Sequence, residues 1–358
     1  MKAKTILLSA LALSVFGCAQ VGDKVGVADK PEPQMQAVLT QLKNLGVKPV
    51  AELTPEQARV QPTPADAVKA VLKEQGKSTE PMPVGKIENG AIRGPAGQIP
   101  VRIYWPSQGS SPFPVVHYIH GGGWVIANLD TYDASARAIA NAANAIVVSS
   151  HYRQAPEHPF PAAHEDSFTA YQWLVANAGK LGGDPNRIAV MGESAGGNMA
   201  AAITLLAREH GLPMPVHQVL VYPVANYGFD TPSYQQNANA QPLSKDGMQW
   251  FFKHYLTDPK QGQDPLISLV DAKNLKGLPP TTIITAEIDP LRSEGKRYAD
   301  LLQQAGVPVD YKNYDGVTHE FFGMGAVVDK AKQAVGQAAV GLKSSFEKAG
   351  AAGRAAPQ

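Results

Sequence analysis

The stretch RIAVMGESAGGNMAAAITLL, Arg187 to Leu206, changes character at its centre. An apolar run from Ile188 to Met191 leads in, and an alanine-rich run with helical spacing leads out. Ser194 stands at the change, with Gly192 two residues before it and Gly196 two after. Two readings fit. Ser194 is a plain N-cap with glycines making the turn, or it is a nucleophile in a G-x-S-x-G corner between strand and helix. The second reading makes a physical demand: a strand that turns abruptly into a helix drives its corner residue toward positive φ, and glycines on either side remove colliding side chains. Such a corner lifts Oγ of Ser194 out of a sheet. It also sets the N–H of Ala195 and a helix N-terminus beside it, where negative charge is stabilised. A dinucleotide-binding G-x-G-x-x-G turn would need glycine where Ser194 stands.

Working outward, strand patterns run over Val84–Arg93, Ile99–Trp105, Pro114–Ile119, Ala145–Ser150, His217–Tyr222, Thr281–Ala286 and Val307–Asn313. Helical patterns cover Thr131–Ala143, Ala162–Ala178, Ser194–Glu209, Leu291–Gln304 and Lys330–Lys348. The alternation predicts an α/β fold with a mainly parallel, doubly wound sheet whose first strands are antiparallel. Before it, Met35, Val38, Leu39, Leu42 and Leu45 fall at helical spacing, and Thr54-Pro55-Glu56 and Thr63-Pro64-Ala65 look like helix starts. These helices either cover a site or pad the sheet. An insertion between Tyr222 and Thr281 carries LSKDGMQWFFKHYL, in which Met248, Phe251, Phe252 and Tyr255 share one helical face.

The 32 basic and 31 acidic residues leave a net charge of +1, so no broad field points to nucleic acid. Nine histidines form no cluster at ligand spacing, and neither a metal nor another cofactor is expected. Lys2 and Lys4 precede an apolar run from Thr5 to Phe16, the layout of a secretory signal and too short for a membrane span. Cys18, the one cysteine, closes that run behind Val15-Phe16-Gly17 and resembles the lipidated residue of a bacterial lipoprotein. Gly17-Cys18-Ala19 also reads as an ordinary signal-peptidase site. Either way an exported protein is expected, with a signal over residues 1–19, a polar tether over 20–33, and possible membrane attachment through Cys18. Periplasmic or membrane-anchored placement follows.

His120-Gly121-Gly122-Gly123-Trp124 follows an apolar strand upstream. Three glycines in a row are either a flexible turn or a loop whose N–H groups, from Gly121 and Gly122, join that of Ala195 around an oxyanion. His120 reads as an anchor for that loop.

Together HGGGW, YRQAPEHPFPAA, GESAGGNMA, DPLRSEG and THEF, in order between about Pro100 and Phe322, resemble the bacterial hormone-sensitive-lipase-like esterases of the α/β-hydrolase superfamily. The resemblance implies a serine carboxylesterase acting on small to medium acyl esters through an acyl-enzyme. Its catalytic domain would span residues 81–350, with a helical cap from residues 34–80 and an insertion at about 225–262. It further implies Ser194 as nucleophile, Asp289 as acid, His319 as base, and Gly121, Gly122 and Ala195 as the oxyanion hole. The residues lend support of their own: the order Ser, Asp, His suits the fold, and Asp289 and His319 each follow a predicted strand. Asp315 is a rival acid, though YDGV reads as a turn, and Glu294 reads as a carboxylate on a helix face. Tyr152, Arg153, Glu157 and His158 read as buttressing. Trp124, Trp250, Phe251 and Tyr255 either line the substrate pocket or pack the core. The competing functions are an amidase or peptidase with the same triad, and a non-catalytic ligand-binding member of the fold. The presence of His319 speaks against the last.

Overall fold

The computed structural model describes residues 30–355, with side chains to residue 352. The expected signal, Cys18 and most of the expected tether lie outside the described residues. Three helices come first: α1 Pro33–Asn44, α2 Pro55–Val60 and α3 Pro64–Glu74. Thr54 and Thr63 start α2 and α3 through reciprocal capping boxes with Gln57 and Asp66, each with proline in the first turn. A cap of this kind stabilises a helix by ~1 kcal/mol, which matters for elements as short as these.

The sheet then assembles from β1 Lys86–Gly94, β2 Gly97–Trp105, β3 Phe113–Ile119, β4 Ile146–Ser150, β5 Gly183–Glu193, β6 Gln218–Val221, β7 Thr281–Ile288 and β8 Val309–Thr318. Its order is β1-β2-β4-β3-β5-β6-β7-β8. β2 is antiparallel to both β1 and β4, and every pairing from β4 through β8 is parallel. The parallel steps need crossovers, supplied by α4 Asp133–Ala143, α5 Ala162–Asn177 and α6 Ala195–Glu209. A long excursion after β6 carries α7 Pro232–Gln236 and α8 Lys245–Tyr255; α9 Arg292–Gln304 joins β7 to β8, and α10 Asp329–Ala355 follows.

Strand side chains alternate between two cores. Val115, Ile119, Ile146 and Val148 face Leu174 of α5, Met199 and Ile203 of α6 and Leu302 of α9. Val116, Tyr118 and Val147 face the opposite side, with Ile139 of α4, Leu342 of α10 and Val38 of α1. Leu174, Met199 and Ile203 are all but inaccessible, and burial of each such side chain contributes about 1.5–3 kcal/mol.

One expected turn is absent. YDGV continues β8 as a bulge: Tyr314 to Thr318 advance four positions while their partners Ala286 to Ile288 advance two. Gly316, at φ +67, makes the kink, and its carbonyl accepts the N–H of Glu32 at 2.8 Å. The bulge thus docks the start of the N-terminal helices onto the sheet, a long-range contact that the local turn pattern did not reveal.

Candidate active site

The corner at Ser194 has the backbone that the motif demands. Ser194 sits at φ 57, ψ −120 between β5 and α6. A Cβ on Gly192 would lie 2.1 Å from the carbonyl oxygen of Gly196, and one on Gly196 would lie 2.0 Å from that of Ile119. Both glycines are therefore required by the close approach of backbones. Asp289 follows β7 directly and His319 follows β8, so parallel strands deliver all three residues to one sheet edge.

There the side chains meet. Oγ of Ser194 lies 2.9 Å from Nε2 of His319, and Nδ1 of His319 lies 2.7 Å from Oδ2 of Asp289. The other oxygen of Asp289 accepts the N–H of Leu291 at 2.8 Å. Asn237, in the excursion, donates to the carbonyls of Glu287 and Asp289. Asp289 is fully inaccessible, while Ser194 and His319 keep 5% and 3% exposure toward a cavity of about 690 Å³. Burial opposes charging His319, but the adjacent Asp289 carboxylate, then Glu320 and Glu193, outweigh it and raise the imidazole's proton affinity above its ordinary value. Asp315, the rival acid, is exposed and accepts a hydrogen bond from Asn313.

The glycine loop follows β3. Gly122 and Gly123, at φ 94 and φ 56, line the cavity beside Ser194. Gly121 does not line it; a Cβ there would strike the Tyr132 hydroxyl at 2.3 Å. The expected pair Gly121 and Gly122 is accordingly displaced by one residue at the cavity wall. Ala195 opens α6, where the first N–H groups have no acceptor within the helix, and its N–H lies next to Ser194 in the chain. The loop is held from behind: Tyr152 donates to the carbonyl of Gly121 at 2.7 Å, and Nδ1 of His120 lies 2.8 Å from the same oxygen. Burial pushes the His120 imidazole down to about 3, so it stays neutral and serves as an anchor.

The buttressing stretch is built of ion pairs. Arg153 holds Asp166 through two 2.9 Å bonds, and Arg59 of α2 grips Glu157 with both terminal nitrogens at 2.7 Å. Glu193 is wholly buried between Tyr118, which donates to it at 2.5 Å, and the Tyr222 hydroxyl. Burial, and then the nearby Glu320, push its carboxyl up to about 7. Glu294 stands on α9, as expected of a helix carboxylate, and outside the triad: it is buried and accepts the N–H of Ala225 at 2.8 Å and of Asn226 at 3.2 Å, tying α9 to the start of the excursion.

The cavity's roof comes from two sequence-distant regions. Leu39 and Leu42 arrive from α1, Val50 from the short turn between α1 and α2, and Leu243 and Phe251 from the excursion. Of the four aromatics singled out by sequence, Phe251 alone lines the cavity. Trp124 is buried and stacks on Tyr255 at 4.5 Å, Tyr255 bonds His164 through its hydroxyl at 2.8 Å, and Trp250 donates to the carbonyl of Leu53 at 3.0 Å. One face of an amphipathic helix supplies both core and pocket, and only packing decides which. Sequence reading also passed over Glu320 and Tyr132, both in the cavity wall, and Gly123. A charged residue immediately after His319 was the available signal. Among the described residues no group of His, Cys, Asp and Glu is arranged to hold a metal ion.

Comparison with known proteins places this arrangement. Residues 116–323 match a family model described as an alpha/beta hydrolase fold. The chain belongs to the α/β-hydrolase family. Carboxylesterase NlhH of Mycobacterium tuberculosis is 42% identical over 308 residues, covering 84% of this chain and 96% of that protein. Ethyl acetate hydrolase of Pseudomonas putida is 34% identical, covering 80% of this chain and 89% of its own length. Among solved structures, the hyperthermophilic esterase from Pyrobaculum calidifontis superposes with a TM-score of 0.79 at 36% identity, covering 88% of this chain and 99% of that one. Within the α/β hydrolases, these relatives and the shared motifs put the chain with the hormone-sensitive-lipase-like esterases.

Proposed function

We infer that this α/β hydrolase is a serine carboxylesterase in which Ser194 attacks the ester carbonyl, His319 moves the proton and Asp289 orients and charge-compensates the ring. That it hydrolyses carboxylic esters follows from its family and from relatives named as carboxylesterases over most of its length. The observation that carries the residue roles is the continuous chain Ser194–His319–Asp289, at 2.9 and 2.7 Å.

Nε2 takes the Ser194 proton as Oγ bonds the carbonyl carbon, and the developing oxyanion is received by N–H groups of Ala195, Gly122 and Gly123. Nε2 then returns the proton to the departing alcohol, leaving an acyl-enzyme that water hydrolyses by the same route. Asp289, held by Leu291, keeps Nδ1 protonated and stabilises the imidazolium. A cavity of about 690 Å³ walled by Leu39, Leu42, Val50, Leu243 and Phe251 suits small to medium acyl chains. The decisive test is turnover of a p-nitrophenyl acetate-to-decanoate series beside the matching anilides. Esters should be cleaved with a preference for the shorter chains, and equal or faster anilide cleavage would favour an amidase instead.

We also propose that the protein is exported and lipid-anchored through Cys18, on the strength of Lys2, Lys4, the apolar run Thr5–Phe16 and the cysteine that closes it. Mass spectrometry of the mature N-terminus tests this. A diacylglyceryl Cys18 is expected, whereas an unmodified start at Gln20 would show a soluble exported form.

A further inference from the structure

Glu320 is a partly buried carboxylate in the cavity wall. It immediately follows His319 and sits at φ 70, in the left-handed region that residues other than glycine seldom occupy. Strain of this kind at a cavity wall is the sort that function retains. The backbone turn brings Oε1 of Glu320 to 3.9 Å from Nε2 of His319. The Tyr132 hydroxyl donates to that same oxygen at 2.6 Å. Tyr132 is in turn pressed against Gly121, so the pair ties the histidine loop to the glycine loop. Glu320, Tyr132, His319 and Ser194 all face the one cavity.

We propose that Glu320 positions the water that hydrolyses the acyl-enzyme, and thereby favours water over alcohols as the acyl acceptor. This rests on the reading of Ser194 as nucleophile and His319 as base. Once Oγ of Ser194 carries the acyl group, Nε2 is free to accept from another donor. A water about 2.8 Å from both Nε2 and Oε1 spans their separation with an angle of roughly 90° at its oxygen, an ordinary arrangement for two hydrogen bonds. One water proton then goes to Nε2 as the oxygen bonds the acyl carbon. The bond from that carbon to Oγ breaks, and Nε2 passes the proton to Oγ. The second water proton stays on the oxygen, hydrogen-bonded to Glu320, and leaves with the carboxylic acid product.

An alcohol has only one hydroxyl proton. It can donate to Nε2 but has nothing left for Glu320, so the carboxylate orients water and not an alcohol. The same asymmetry applies in the forward half-reaction, because the ester's leaving oxygen carries no proton for Glu320 to hold. Glu320 therefore acts on deacylation by water and leaves acylation largely alone.

The experiment compares wild type with Glu320→Gly and Glu320→Gln, using p-nitrophenyl acetate with and without methanol. Glycine accepts φ 70 without strain, so Glu320→Gly is expected to fold, with circular dichroism and thermal melting as checks. In stopped flow the acylation burst should stay within about 2-fold of wild type, while steady-state kcat and KM fall together by about 10-fold or more at constant kcat/KM. At fixed methanol the ratio of methyl acetate to acetate should rise by about 10-fold in Glu320→Gly, with Glu320→Gln, which keeps one acceptor oxygen, in between. A merely structural residue would slow both half-reactions alike and leave that ratio unchanged, and either result overturns the proposal, as does a Glu320→Gln ratio equal to or above that of Glu320→Gly. If no acetyl-Ser194 is found by mass spectrometry in quenched wild type, it is the esterase mechanism that fails, and the two failures are thereby separated.

Discussion

The floor and the roof of the cavity are held by different physics. The floor, where β3, β5, β7 and β8 end, is specified residue by residue. Ser194 lies at positive φ, Gly192 and Gly196 have backbone oxygens where their Cβ atoms would be, and His319 is fixed through both ring nitrogens. The roof is specified collectively. Leu39, Leu42, Val50, Leu243 and Phe251 are apolar side chains from two distant segments. The lesson is that the chemistry depends on individual atoms and tolerates no exchange, whereas substrate preference depends on volume and can shift by degrees.

The strongest test of that contrast is Ser194→Ala. Turnover of p-nitrophenyl acetate should fall by about 10⁴- to 10⁶-fold with the thermal melt near wild type, and a variant retaining more than about a tenth of wild-type turnover would remove the floor's special status. Gly196→Ala comes next. Its Cβ would lie 2.0 Å from the Ile119 carbonyl, so a loss of about 3 kcal/mol in stability is expected by urea titration, together with impaired turnover.

Phe251→Ala tests the roof. Enlarging the cavity should change the ratio of kcat/KM between butyrate and decanoate esters by about 10-fold while short esters remain good substrates. A parallel fall for every chain length would instead make Phe251 part of the floor's machinery. Trp250→Phe, in the same helix, removes the bond to the Leu53 carbonyl and part of the ring area packed on Phe251 and His254. It should lower stability by ~1 kcal/mol and leave the chain-length profile unchanged.

The mildest probe is pH. His319 must be neutral to act as base, and its proton affinity is raised, chiefly by Asp289 working against burial. The acid limb of the kcat/KM profile should therefore have its midpoint above 6.5, the ring's ordinary value. A midpoint below 6.5 would mean that burial outweighs the carboxylates.

The sequence located the strands and the longer helices because each buries one periodic face, as Val115 to Ile119 and Met199 to Ile203 illustrate, but it began β5 at Ile188 instead of Gly183 and closed α10 at Lys348 instead of Ala355. Its clearest miss in the fold was YDGV, where a turn signal served a strand bulge that receives the chain's own N-terminal segment. In the site, Ser194, Asp289 and His319 were legible because a motif or a predicted strand end marks each. Trp124, Trp250 and Tyr255 were not separable from Phe251, since all are large, aromatic and close to the right segments, and a hydrophobic pattern says only that a face is covered. Gly123 was passed over for Gly121, because three identical neighbours carry no label for which of them faces the cavity.

What the sequence determined alone were the local necessities: where backbone had to turn, where glycine had to stand, and which faces had to leave water, all set by short-range sterics and periodicity. The tertiary structure alone decided which aromatic became pocket wall and which became core. It also decided that helices from before the sheet would meet an excursion from its middle, and that the Tyr132 hydroxyl would reach Glu320 in the cavity wall. Those outcomes depend on residues far apart in the chain approaching within a few ångströms, and no local pattern encodes that distance.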